Sequence, residues 1–304
     1  MPQDEGLSAR ADKKRERRTR ARVEQLNAQI LEVLEQDHPQ SVRHVFYRMT
    51  SPRLPEPVEK SERRGYVCVQ NRLKLLRLSS RVPYAWITDA TRRGYFVNTY
   101  RSASDFLSHV AGLYRANLWE QANVYCEVWC ESRSIAGVIE GDCEELAVSL
   151  YPAGGFSSMT LAWEAAQYIA NEVAGTGKRI VILYIGDYDP AGVLIDVDIK
   201  AKLRKHLAEA GVFDIDFRRI AINEDQIRRY DLPTKPRKMT DKRAQHVTAT
   251  VEAEAMPAAI LRRLLREEIE ALLPSRALAV AKAAEESERE YLLSMAKRAA
   301  RRGR

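Results

Sequence analysis

Between residues 122 and 225, short apolar runs alternate with helical stretches, and this alternation constrains the fold more than any other feature of the chain. NVYCEVWC precedes a short helix after Ser132, LAVSLYP precedes a helix over 158–174, RIVILYIG precedes a helix over 191–210, and FDIDFRRIAI closes the series. Gly175, Gly177 and Gly211 punctuate it. Strands separated by helices of this length form a mostly parallel sheet, with the functional edge at the strand C-termini. The expectation is an α/β domain over 122–225.

The flanks read differently. A helix is expected over 7–36, with Arg and Lys filling 10–22 and Val23, Leu26, Ile30 and Leu34 recurring at helical spacing. Ser41 suits an N-cap for a helix carrying Val42, Val45, Phe46 and Met49, which the proline-rich 51–57 run ends. A second helix over 58–80 places Tyr66, Val69, Leu73 and Leu76 on one face and Arg63, Arg64, Lys74 and Arg77 elsewhere. The segment 84–98 suits a hairpin or wing around Arg92 and Arg93. Helix, helix and wing suggest a winged-helix module, an α+β unit that lays a helix in a DNA groove, and a helix over 104–121 leads out. After 225, a loop rich in proline and cations precedes helices over 257–273 and 275–300, and the tail AKRAARRGR reads as disordered and polyanion-seeking. The expected divisions are a helix with a basic run over 1–39, a winged-helix domain over 40–121, the α/β domain over 122–225, and C-terminal loop and helices over 226–304.

Of 304 residues, 45% are hydrophobic and 30% charged, which excludes a fully disordered chain. No run of about 18 apolar residues reads as a membrane span, and the N-terminus lacks the apolar core of a secretory signal. A soluble, cytoplasmic, nucleoid-associated protein with no membrane partner is expected. Cys68, Cys126, Cys130 and Cys143 read as free thiols, with a zinc pair at Cys126 and Cys130 as the weaker alternative. The net charge of +7 is unevenly spread: the four segments carry 0, +8, −8 and +7. Basic, acidic and basic blocks suit a protein that holds a polyanion on one part and a divalent cation on another, the alternative being ordinary surface variation.

The sharpest motif is ILYIGDYDPAG at 182–192. An apolar strand, a glycine and two acids two residues apart put Asp187 and Asp189 where a buried strand emerges. Such a pair suits Mg²⁺, which needs only one or two carboxylates beside water and phosphate oxygens. Capping of the next helix by either acid is the bland alternative. Glu131, directly after VYCEVWC, can lie beside Asp187 in a parallel sheet; Glu127 competes for that role.

A first strand ending in Glu131 and a later one ending in Asp187-Tyr-Asp189-Pro-Ala-Gly resemble the Toprim domain of topoisomerases, primases and some nucleases, and particularly the topoisomerase VI A subunit and the meiotic double-strand-break transesterase. In that family a winged-helix domain with a catalytic tyrosine precedes the Toprim, and Ser41-Val-Arg43-His-Val-Phe-Tyr47-Arg48 is similar to its tyrosine helix. The resemblance covers about 40–225. It implies that Tyr47 attacks the DNA backbone to leave a 5′-phosphotyrosyl bond, that Arg43 steadies the phosphate, and that Glu131, Asp187 and Asp189 hold Mg²⁺, with Mn²⁺ as a substitute. It also implies a homodimer on double-stranded DNA, because tyrosine and metal usually come from opposite protomers, and an ATPase partner encoded separately. Ser132 departs from the Lys or Gly that often follows the Toprim glutamate, and Arg133 could supply a cation instead.

Further phosphate contacts are expected from Arg48, Arg63, Arg64, Lys74, Arg77, Arg92, Arg93, Lys235, Arg237 and Lys238, with Lys242 as another candidate, and Glu252 or Glu254 could join the metal site. Those two acids also fit the exposed face of an edge strand, and His44 could approach Tyr47 or face outward. Two readings besides the transesterase stay open: a Toprim nuclease of a defence system or mobile element in which Tyr47 is structural, and a non-catalytic DNA-binding subunit.

Overall fold

The computed structural model describes residues 18–88, 97–155, 159–237, 244, 247 and 249–302. Helix α1 (Arg20–Gln36) starts at Thr19, whose hydroxyl accepts from the Arg22 N–H, and buries Leu26, Ile30, Val33 and Leu34 at helical spacing. Strand β1 (Gln40–Ser41) leads into α2 (Val42–Met49), which Ser41 caps as expected. The helix expected over 58–80 begins later. The Ser61 hydroxyl accepts from Arg64 and Gly65 N–H groups, which starts a π-helical turn (Glu62–Tyr66) that passes into α3 (Val67–Leu78).

A short 3₁₀ turn (Tyr84–Trp86) precedes β2 (Ile87–Thr88), which pairs parallel with β1. The rest of the expected wing, with Arg92 and Arg93, lies outside the described residues. Helix α4 (Ala103–Leu113) follows. Then come β3 (Val124–Cys130), α5 (Arg133–Glu145), β4 (Ser149–Pro152), α6 (Met159–Val173), β5 (Arg179–Ile185), α7 (Gly192–Glu209) and β6 (Ile215–Ala221). The chain continues through α8 (Glu224–Arg229), an antiparallel pair of β7 (Lys235–Pro236) and β8 (Ala249–Thr250), a 3₁₀ turn (Ala253–Ala255), α9 (Ala258–Glu270) and α10 (Ala277–Arg302). The tail expected to be disordered is helical through Arg302, because Ala296 is buried and its carbonyl accepts the Ser104 hydroxyl of α4 at 2.9 Å.

The chain is therefore mixed α/β. Its four-stranded sheet is wholly parallel, in the order β4-β3-β5-β6. From β3 the chain steps to one side for β4, then back across to β5 and β6, so the winding direction switches between β3 and β5. Alternate residues feed two cores. Val128 and Leu183 join Leu26, Phe46, Leu73, Ile135 and Leu265 on one face, while Trp129, Ile182 and Tyr184 join Ile169, Ile195 and Leu203 on the other. Six of the seven β5 residues are buried, and each large aliphatic one contributes about 1.5–3 kcal/mol. No helix among the described residues is long and apolar enough to cross a membrane.

Candidate functional site

The switch between β3 and β5 opens a crevice beyond the strand C-termini, where ligands of parallel sheets bind. Register fixes what stands there. Cys130 pairs with Ile185, the Glu131 N–H donates to the Ile185 carbonyl at 2.9 Å, and Glu131 Oε2 accepts from the Asp187 N–H at 2.9 Å. Glu131 and Asp187 are thus brought together as expected. Glu127, its competitor, is fully buried within the strand and accepts from Tyr125 Oη and Trp129 Nε1, both at 2.9 Å.

Three devices hold the acidic turn. Asp189 Oδ1 accepts from the Ala191 and Gly192 N–H groups at 2.8 and 2.6 Å, the cap-like role weighed for one acid of the pair. A Cβ at Gly192 would collide with the Asp187 carbonyl, so only glycine fits there. Arg219 on β6 donates to the carbonyls of Gly186, Asp187 and Gly192 at 2.9–3.0 Å and pairs with Asp196 at 3.0 Å. Reading the sequence missed Arg219; its signal was a pair of arginines in a strand with a single aspartate, Asp216, which pairs with Arg218 and leaves Arg219 to other partners.

Two more acids arrive from far along the chain. Tyr188 and Val251 exchange backbone hydrogen bonds, both 2.9 Å, which seats Glu252 and Glu254 beside the turn. Asp187 Oδ1 accepts from the Ala253 N–H at 2.8 Å, and Glu254 accepts the Ser132 hydroxyl at 3.3 Å. Glu254 is buried, so the exposed edge-strand reading does not hold for it: the chain turns into the crevice at Ala253–Ala255 instead of continuing as a strand.

Burial raises the pKa values of Glu131, Asp187 and Glu254, and repulsion adds to it: Asp189 and Glu254 act on Glu131, Glu131 and Glu254 on Asp187, and Glu252 on Glu254. Hard carboxylate oxygens that repel one another in a buried crevice are the donor set a divalent cation relieves. Each of Glu131, Asp187 and Asp189 turns one oxygen to a backbone N–H. In that arrangement no three His, Cys, Asp or Glu side chains among the described residues stand close enough to chelate an ion together. Because Mg²⁺ needs only one or two carboxylates, the residues present fit it.

Tyr47 lies on α2, its ring buried against Phe46. Its hydroxyl lies toward Glu252 but makes no hydrogen bond of ordinary geometry, and burial followed by the Glu252 charge pushes the phenol well above its usual pKa. Lys235 stands 5.6 Å from the ring centroid. Glu252 gathers the cations: Arg43 Nη1 bonds it at 2.6 Å and Lys235 Nζ at 2.8 Å. Burial opposes its ionisation, but these cations hold its pKa below the usual carboxylate value. A cleft of about 440 Å³ is lined by Tyr47, Glu62, Asp189, Lys235 and Glu252. Tyr47 and Asp189 therefore face one space within a single chain. His44 is buried, not outward: its Nδ1 meets the Ser41 hydroxyl at 2.9 Å, and desolvation lowers its pKa to about 3.

The remaining cations separate. Arg43, Lys74 and Arg77 line a second groove of about 650 Å³ with Tyr66, Tyr84 and Ser134. Arg48 lies on another cavity of about 720 Å³. Arg63, Arg64 and Arg133 are exposed, and Arg237 donates to the Val247 carbonyl at 3.2 Å. Lys238 and Lys242, like Arg92 and Arg93, lie outside the described residues. All four cysteines are free; Cys126, Cys130 and Cys143 are buried. No protein-family model matches this chain, and no curated protein matches it in sequence.

Proposed function

We propose that this chain is a Mg²⁺-dependent enzyme that binds and breaks double-stranded DNA, with a Toprim-like domain carrying Glu131, Asp187 and Asp189 and a winged-helix-like domain carrying Tyr47, similar to the topoisomerase VI A subunit. One observation carries the reading: a tyrosine, a carboxylate of the acidic turn and a cation from three distant segments line one cleft beside the turn that follows β5. The groove of Arg43, Lys74 and Arg77 offers a path for the DNA backbone.

One or two carboxylates drawn from Glu131, Asp187 and Asp189 would hold Mg²⁺, or Mn²⁺ in its place, and the ion would supply charge neutralisation at a phosphate. Arg43 and Lys235 position the scissile phosphate. The Tyr47 Oη–phosphorus bond forms as the phosphorus–O3′ bond breaks. The tyrosine proton passes to Glu252, and the departing 3′ oxygen takes a proton from solvent. The resemblance implies a homodimer because tyrosine and metal usually come from opposite protomers; here Tyr47 and Asp189 line one cleft of a single chain, so the homodimer, like the ATPase partner, is carried by the resemblance and not by the cleft.

A hydrolytic second reading has its own support, since burial and the Glu252 charge make the Tyr47 phenol hard to ionise. Water then attacks in place of Tyr47 and leaves free 5′-phosphate ends. The test is a denaturing gel of end-labelled duplex DNA with wild type and Tyr47→Phe, in Mg²⁺ or Mn²⁺, before and after protease. A labelled protein adduct that vanishes in Tyr47→Phe supports transesterification. Cleavage that survives without an adduct supports hydrolysis. Salt-sensitive binding without cleavage in any divalent ion rejects both and leaves a DNA-binding subunit.

A further inference from the structure

The groove beside α3 holds more than a run of phosphates would need. Arg43, Lys74 and Arg77 are its cations, but Tyr66, Tyr84 and Leu78 share its wall. Tyr84 is 60% and Leu78 63% exposed, so a ring and apolar surface stand open to whatever enters. Each tyrosine carries a cation: the Arg77 guanidinium lies 4.4 Å from the Tyr84 ring centroid, and that of Arg43 lies 5.3 Å from the Tyr66 centroid. An arginine over one face of Tyr84 orients the ring and leaves the rest of it to solvent.

Two polar atoms of the wall are idle. Arg77 Nε and Thr88 Oγ1 are buried and have no hydrogen-bond partner among the described residues. Buried polar groups are almost always paired, so both are places for a ligand to bond. The volume, about 650 Å³, lies within the range of about 300–1,000 Å³ of sites that enclose a small organic group.

Paired DNA cannot use these features. Inside a duplex each base is stacked on its neighbours and offers only an edge, while the phosphates engage the cations alone. An unpaired base exposes a π-face that stacks on tyrosine and an edge that can meet Arg77 Nε and Thr88 Oγ1. The groove also meets the acidic site at two points. Arg43 Nη1 bonds Glu62 and Glu252, both on the cleft with Tyr47, and Ser134 stands three residues after Glu131 at the start of α5.

We propose that this groove takes one unpaired base of a DNA strand whose backbone runs on into the Tyr47 cleft, with Tyr84 as the stacking platform and Lys74 on a flanking phosphate. The preferred substrate is then duplex DNA that carries an unpaired nucleotide. This rests on the reading of the chain as a DNA-binding protein, and not on whether it cuts.

Fluorescence anisotropy of the full-length chain without divalent ions compares a fully paired duplex, the same duplex with one unpaired thymidine, and that duplex with an abasic residue in place of the thymidine. Wild type is expected to bind the thymidine probe about tenfold more tightly than either of the others. Tyr84→Ala is expected to bring all the constants within about twofold of one another, and Tyr84→Phe, which keeps the ring, to retain the preference. Lys74→Ala is expected to weaken every probe alike. A wild type that binds the probes equally overturns the inference and leaves the DNA-binding reading in place, as does a thymidine preference that survives in Tyr84→Ala. Thymidine and abasic probes bound equally, both above paired duplex, would assign the preference to bending and overturn it too. Failure to bind any probe at low salt overturns the DNA-binding reading, and this inference with it.

Discussion

Glu127 and Glu131 stand four residues apart on one run of sequence, yet their surroundings give them different work. Glu127 is enclosed, and desolvation raises its pKa from 4.5 to about 7, against the pull of its Trp129 and Tyr125 donors. A carboxyl raised in the folded state is most favourable to folding when protonated. Its contribution to stability is full below about pH 4.5, falls as pH rises towards 7, and stays lost above. Glu127→Gln is expected to flatten the decline in melting temperature over that window; an unchanged slope would assign the decline elsewhere. At the strand end, Glu131 and Asp187 are raised by burial, with Asp189 and Glu254 repelling the first and Glu131 and Glu254 the second. Asp187→Asn keeps an oxygen for the Ala253 N–H and removes a charge. Without divalent ions at pH 8, its melting temperature is expected to exceed that of wild type, while Mg²⁺-stimulated DNA cleavage falls at least about 100-fold. Cleavage at the wild-type rate would remove Asp187 from the proposed metal site.

The turn between β5 and α7 shows what local sequence can and cannot reveal. The apolar run, Gly186, the two acids, Pro190 and Gly192 each act on neighbouring backbone, so strand end, turn and helix start were all legible in eleven residues. Ser41 likewise announced α2. Ser61 was overlooked as a helix start because Val58 is in helical phase with Val69 and Leu76, which draws the expected helix back past Ser61. The placement of Glu252, Glu254 and Lys235 was not legible: it depends on the Tyr188–Val251 pairing, a contact across more than sixty residues that no short-range pattern marks. Arg219 escaped for the same reason, since its carbonyl partners belong to other elements. Arg219→Ala frees three carbonyls and strands Asp196, so a loss of about 3 kcal/mol is expected in urea unfolding, with loss of cleavage beyond what stability explains. Gly192→Ala is expected to cost about 1–3 kcal/mol by the same measurement, through its collision with Asp187.

At the scale of the whole molecule, charge and core have separate consequences. If duplex DNA follows the groove of Arg43, Lys74 and Arg77, affinity falls steeply with salt, and Lys74→Ala with Arg77→Ala lowers the log–log salt slope by about 1–2. Fluorescence anisotropy with labelled duplex at several salt concentrations measures it, and a slope unchanged by the double variant would send the DNA elsewhere. The first core runs without interruption from α1 and α2 through the sheet to α9. The tyrosine helix and the acidic turn are therefore parts of one cooperative unit, and a hinge between them would have to tear apart close-packed side chains. A cleft built this way holds its reacting groups in fixed relation but offers no gate of its own. Passage of a second duplex through a break made there would require two copies of the chain to draw apart, each remaining intact.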